Sequence, residues 1–141
     1  MFILDTDHVS LIQFPESDAA KRILARLSSA GPRPVVTTII TYEEQTRGCL
    51  KSVANAKDPR QEVAAYFHLR RSLEDFHRIP LLDFDEFASS EFQRLCRLNL
   101  RVGSMDLRIA AITFVHDATL ISANLWDSRK VPGLQVEDWS R

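Results

Sequence analysis

The chain has 141 residues, enough for one ordinary domain with a sizeable core, and its 45% hydrophobic and 26% charged composition excludes a disordered chain. Eighteen basic residues against 19 acidic ones leave a formal net charge of -1, which argues against nucleic-acid binding by bulk charge and leaves open a local arginine-rich face. No apolar stretch approaches the length of a membrane span, and the opening apolar run passes straight into acids, so neither a membrane anchor nor a signal peptide is expected and the chain is assigned to the cytoplasm.

Phe2 to Leu4 reads as a short buried strand that stops abruptly at Asp5-Thr6-Asp7. A helix is expected over residues 17–29, where Ala20, Ile23, Leu24 and Leu27 share a face. Val35 to Ile40 forms the second strand, followed by helices over 42–56 and 60–76 that pair as a hairpin, with Asn55-Ala56-Lys57-Asp58 as the loop and Pro59 opening the second helix. A weaker strand spans Arg78 to Leu82, then a helix 84–99 and a helix 106–116 so apolar that it must be buried on most sides. Thr119 to Ser122 and Leu134 to Val136 complete the strands. Strands alternating with helices predict an α/β fold with a mostly parallel sheet.

The chemistry-bearing residues fall at the ends of these elements. In open parallel sheets, ligands bind in the crevice beyond the carboxyl ends of the strands, and Asp5 with Asp7 offers hard oxygen donors suited to Mg²⁺ or Mn²⁺. Glu44 follows the second strand, where Thr41 and Glu44 also spell a helix capping box. Asp106 opens the apolar helix behind Gly103-Ser104-Met105, with Ser104 as its expected cap. After the fourth strand, Ser122-Ala123-Asn124-Leu125-Trp126-Asp127 supplies an amide and a further acid, each of which alone reads as turn chemistry. Carboxylates converging at one edge repel one another, and a divalent cation resolves that conflict. Such a site suits phosphoester hydrolysis by a metal-activated water.

Other reagents are missing. His8 is not spaced to complete a triad, and His68, His77 and His116 lie in helical patterns as solvent-facing positions. Cys49 and Cys96 match no metal-binding spacing and read as buried or incidental thiols. No P-loop, dinucleotide fingerprint or nucleophile elbow is present.

Ile3-Leu4-Asp5-Thr6-Asp7, Ile40-Thr41-Tyr42-Glu43-Glu44 with Gly48, Ser104-Met105-Asp106-Leu107-Arg108-Ile109-Ala110-Ala111, and Leu120 to Asp127 followed by Val131 to Trp139 together resemble the PIN-domain nucleases, and the closing segment resembles VapC-type toxins. The resemblance runs over essentially the whole chain and implies one PIN domain over residues 1–141, a three-layer α/β/α fold and a Mg²⁺- or Mn²⁺-dependent endoribonuclease. It also implies a homodimer held inactive by a cognate VapB-like antitoxin. Position by position, Asp5 and Asp106 match the principal metal-binding acids and Glu44 the glutamate of the second junction. Asp127 matches a further catalytic acid, while Asn124 stands where many members carry Asp and Asp7 where Asn is common. Ser122 borders the same site. RNA would be positioned by arginines, among which Arg70, Arg71, Arg94 and Arg97 rank below Arg101 and Arg108, the pair that flanks Asp106.

Two rival readings remain open from the residues. Asp5-Thr6-Asp7 mimics the D-x-D signature of haloacid-dehalogenase-like phosphatases, although Asp117 and Asp127 substitute poorly for the late acidic pair of that family. A catalytically degenerate PIN-like binding module is the non-enzymatic alternative. Its mark would be loss of the metal acids, yet Asp5, Glu44 and Asp106 are all present.

Overall fold

The computed structural model describes residues 1–141. In chain order the elements are β1 (Phe2–Leu4), α1 (Thr6–Ile12), α2 (Asp18–Ser29), β2 (Val35–Thr38), α3 (Ile39–Ala54), α4 (Pro59–Arg78), β3 (Leu81–Leu82), α5 (Glu86–Cys96), α6 (Ser104–Val115), β4 (Thr119–Ile121), α7 (Leu125–Ser128) and β5 (Val136–Glu137). The five strands make one sheet in the order β3-β2-β1-β4-β5, and every neighbouring pair is parallel. β1 lies at the centre, with Ile3 opposite both Val36 and Leu120.

Alternation along the strands sorts the core into two layers, because successive side chains of a strand point to opposite faces. Phe2, Leu4 and Ile121 pack with Val9, Ile23, Phe76 and Trp139 on the face covered by α1, α2 and α4. Ile3, Val36 and Leu120 pack with Ala88, Ile109 and Ile112 on the face covered by α5 and α6. The result is the expected three-layer α/β/α sandwich. Ile3 and Ile112 are fully buried, each contributing about 1.5–3 kcal/mol of apolar burial. α6 is apolar almost all round because Leu107, Ala110 and Ala111 meet Phe92, Leu95 and Val131 on its other side.

The sequence pattern and the structure differ at several boundaries. Ile39 and Ile40 carry β-branched side chains that read as strand, but Thr38 ends β2 by accepting the Thr41 N–H at 3.1 Å, so α3 starts there. The cap is therefore Thr38 and not Thr41, and Glu44 plays no part in it. The strand expected over Arg78 to Leu82 shrinks to Leu81–Leu82 because α4 continues to Arg78. Two short helices, α1 and α7, escape the pattern, since neither is long enough to show a repeating apolar stripe. The hairpin junction is as expected: Asp58 caps Gln61 N–H and Pro59 begins α4. No helix is long and apolar enough to cross a membrane.

Candidate metal centre

β1 hands the chain directly to Asp5, which is buried and serves as the N-cap of α1. Its Oδ1 accepts the His8 backbone N–H at 2.9 Å. The same oxygen lies 3.2 Å from His8 Nδ1. His8 is wholly buried, and its other ring nitrogen, Nε2, accepts the Trp139 backbone N–H at 3.2 Å. An acceptor at Nε2 places the ring proton on Nδ1, which then donates to Asp5. Both interactions fall on one carboxylate oxygen.

The second junction contributes from further along α3. Glu44 sits on the second turn, half-buried, where its Oε1 accepts the Thr6 hydroxyl at 2.7 Å. Gln45 beside it donates from Nε2 to the Thr6 carbonyl at 3.3 Å and to the Ser10 hydroxyl. These bonds tie α3 to α1 across the mouth of the site.

β4 ends in Ser122, which is buried and accepts the Asn124 N–H on Oγ at 3.1 Å. Asn124 caps α7, receiving the Asp127 N–H at 3.4 Å, and donates from Nδ2 to Asp127 Oδ2 at 3.1 Å. Lys130 Nζ reaches Asp127 Oδ1 at 2.7 Å. The ammonium hydrogen bond first, and the Asn124 amide second, hold the Asp127 carboxyl below its ordinary 3.8.

Asp106 stands in the first turn of α6, behind Gly103 as N-cap with no side-chain capping bond, so Ser104 does not cap this helix. The side chain is exposed at the rim of the site. Partial desolvation raises its pKa above 3.8, and the charges of Glu44, Asp127, Asp5 and Asp7 add to the rise in that order. Those four acids stand at the N-cap of α1, within α1, in α3 and in α7. Asp7 is raised as well, by desolvation first and then by the charge of Asp5.

Asp5, Asp106, Ser122, Asn124 and Asp127 line a narrow cavity of about 20 Å³ floored by Ile109 and Leu120. Two predicted acids lie outside this lining: Glu44, on the second turn of α3, and Asp7, on the exposed first turn of α1. That leaves a D-x-D reading without its second acid in the cavity. Only Asp5 and Ser122 follow strands directly; Glu44, Asp106 and Asp127 are helical. No three His, Cys, Asp or Glu side chains stand close enough to hold a metal ion between them.

The arginines are less committed to the groove than their positions in the chain suggested. Arg108 lays its guanidinium over Phe92 at 4.3 Å and donates to the Ser104 carbonyl at 3.2 Å. Arg101 is exposed, in the left-handed region at φ 55°. Arg94 bonds Glu91, and Arg70 bonds Glu74 at 3.2 Å. Cys96 is exposed and Cys49 half-buried, both free. His68, His77 and His116 are exposed, as expected. The sequence pattern assigns no role to His8, Thr6 or Lys130, each of which the structure ties to an acid at the sheet edge. Had α1 been recognised, the three-residue step from its cap would have pointed to His8.

No protein-family model matches the chain, and no curated protein does. Solved structures do. The fold matches a chain of VapBC-1 from nontypeable Haemophilus influenzae with TM-score 0.78 and 22% identity over 99% of this chain and 98% of that one. It matches DNA-bound VapBC from Salmonella typhimurium with TM-score 0.79 and 24% identity over 98% and 97% of the two chains. A toxin–antitoxin complex from Klebsiella pneumoniae follows with TM-score 0.66 and 19% identity over 95% of each chain. The fold is therefore the PIN-like α/β/α fold. More narrowly, it is the fold found in VapBC structures.

Proposed function

We propose that this chain is a metal-dependent endoribonuclease, the toxin component of a VapBC-type module. The observation that carries the reading is the convergence of Asp5, Asp106 and Asp127, from three chain-distant segments, on one cavity, where neighbouring acids push the Asp106 carboxyl up. A fold spends stability to gather like charges, and a divalent cation is what relieves them. The donor set fits Mg²⁺ or Mn²⁺: carboxylate, hydroxyl and amide oxygens with no sulfur or imidazole in the cavity lining. The absence of a closed three-ligand cage is compatible with Mg²⁺, which keeps several waters and takes only one or two direct carboxylates. Asp5 and Asp106 are the ligands we assign, with Glu44 and Asp127 acting beside them.

A bound cation supplies charge neutralisation of a phosphodiester and a water of lowered pKa. The protein's own part is positioning. His8 and the α1 amide fix Asp5 at one oxygen, Thr6 fixes Glu44, and Asn124 with Lys130 fixes Asp127. Lys130, on the rim beside exposed Trp126, is placed to meet a backbone phosphate. Arg101 is free to do the same, whereas Arg108 is engaged with Phe92. The reading further implies RNA as substrate, a VapB-like antitoxin as partner, a homodimer as the working unit and the cytoplasm as its place of action.

Incubating the purified chain with defined single-stranded RNAs in Mn²⁺ or EDTA tests the reading. Internal cleavage in Mn²⁺ that stops in EDTA supports it. EDTA-insensitive cleavage, or hydrolysis of a phosphomonoester with RNA left intact, would replace it with another activity.

A further inference from the structure

We infer that His8 is a positioning residue whose Nδ1–H, its tautomer set by the Trp139 N–H at the other ring nitrogen, orients Asp5 and so sets the metal affinity of the site. This rests on the reading of Asp5 as a metal ligand. His8 is wholly buried, an unusual place for imidazole, and both its ring nitrogens are used. Nε2 takes the N–H of Trp139, which follows β5 and lies 131 positions away in the chain. Nδ1 faces Asp5 Oδ1 at 3.2 Å. Trp139 is itself pinned: its ring meets the Phe2 ring edge-on at 4.9 Å, and its indole N–H donates to Glu137 Oε2 at 2.8 Å. Asp138 Oδ1 stands 3.6 Å from Nε2 and is occupied by the Ser140 N–H and hydroxyl at 2.8 Å and 2.6 Å.

The two ends of the imidazole have different jobs. The Trp139 N–H selects the tautomer, and that tautomer turns Nδ1–H into a donor aimed at Asp5. With the His8 backbone N–H on the same oxygen, the carboxylate cannot rotate freely, and Oδ2 is the oxygen left for a cation. Hydrogen bonds from behind a ligating carboxylate orient it and tune its basicity. A histidine present only to satisfy the buried Trp139 N–H would need Nε2 alone.

The test separates these roles by which ring nitrogen is imitated. His8→Asn retains an amide donor near the Nδ1 position, His8→Gln retains an acceptor nearer Nε2, and His8→Leu keeps volume without either. Mn²⁺ affinity is read from the electron paramagnetic resonance of the free aqua ion, with Asp5→Asn as control and the melting temperature of each variant in EDTA as a check on folding. We expect His8→Leu and His8→Gln to weaken Mn²⁺ binding by about 10-fold or more, the effect of losing an outer-shell partner, and His8→Asn to stay within about threefold of wild type. If Leu does not fold, the Asn–Gln pair decides the matter. Equal affinities across the series while Asp5→Asn loses the metal would overturn the role of His8 alone. Retention in Gln with loss in Asn would do the same, since the Trp139 contact would then be the one that matters. Unchanged Mn²⁺ binding in Asp5→Asn would overturn both this inference and the assignment of the metal site.

Discussion

The Thr6 hydroxyl donates to Glu44 Oε1 at 2.7 Å, joining the first turn of α1 to the second turn of α3 across 38 positions of chain. The bond explains how a glutamate that follows no strand directly is held at the sheet edge. Thr6→Val removes the donor and keeps the shape. It should cost about 1 kcal/mol of stability, the net value of an ordinary hydrogen bond, and lower Mn²⁺-dependent cleavage by about 10-fold through a loosened Glu44. Thr6→Ser should restore both. Urea denaturation and initial cleavage rates measure the two effects, and a Val variant with wild-type rates would show that Glu44 needs no such anchor.

Asp106 and Asp127 should respond to neutralisation with opposite signs. Desolvation and neighbouring acids raise Asp106, so the folded state binds its proton more tightly than the unfolded chain. Its contribution to stability is therefore lost as pH rises from its ordinary 3.8 through the raised folded value. In EDTA at about pH 7, Asp106→Asn should melt above wild type, with the gap closing as pH falls below the ordinary value. Lower melting of Asp106→Asn would mean that the acids do not repel one another as described.

Lys130 and Asn124 depress Asp127, so that carboxylate favours folding above its ordinary 3.8 and the benefit fades as pH falls through the lowered folded value. Asp127→Asn should consequently melt slightly below wild type at neutral pH in EDTA. The Lys130 pair is partly exposed, and removing it by Lys130→Met should leave the melting temperature nearly unchanged. A clear drop would assign the pair a structural role beyond a surface contact.

Thr37, fully buried in β2, donates its hydroxyl to the Leu4 carbonyl at 2.7 Å, just before Asp5. Thr37→Val would leave that carbonyl without this donor, at a cost of about 1–3 kcal/mol. Denaturant midpoints of the variant and the parent check it.

Much of this was legible in the sequence, and the exceptions share a cause. Asp5 announced itself because a strand of three apolar residues ends on it, and α6 because its apolar face has no polar side. Glu44 stands out in the sequence by a capping-box spacing that belongs to no cap, and its partner in the structure is Thr6. The strand ends at Thr38 and the start of α3 were hidden by Ile39 and Ile40, whose β propensity loses to a threonine cap. His8 was invisible as a functional residue because one of its two partners, Trp139, lies at the far end of the chain. Arg108 shows the converse. Its place beside Asp106 in sequence suggested a phosphate contact, yet helix geometry turns it onto Phe92.

Whether Asp5 and Asp106 hold a catalytic metal is decided by the rate of RNA cleavage in Mn²⁺ for wild type, Asp5→Asn and Asp106→Asn. Each substitution is nearly isosteric and Asp106→Asn is expected to melt higher, so a loss of activity there cannot be blamed on unfolding. Both variants should remain folded and fall by more than the roughly 100-fold that marks the upper end for loss of an outer-shell partner. Wild-type cleavage by either folded variant would contradict the metal assignment.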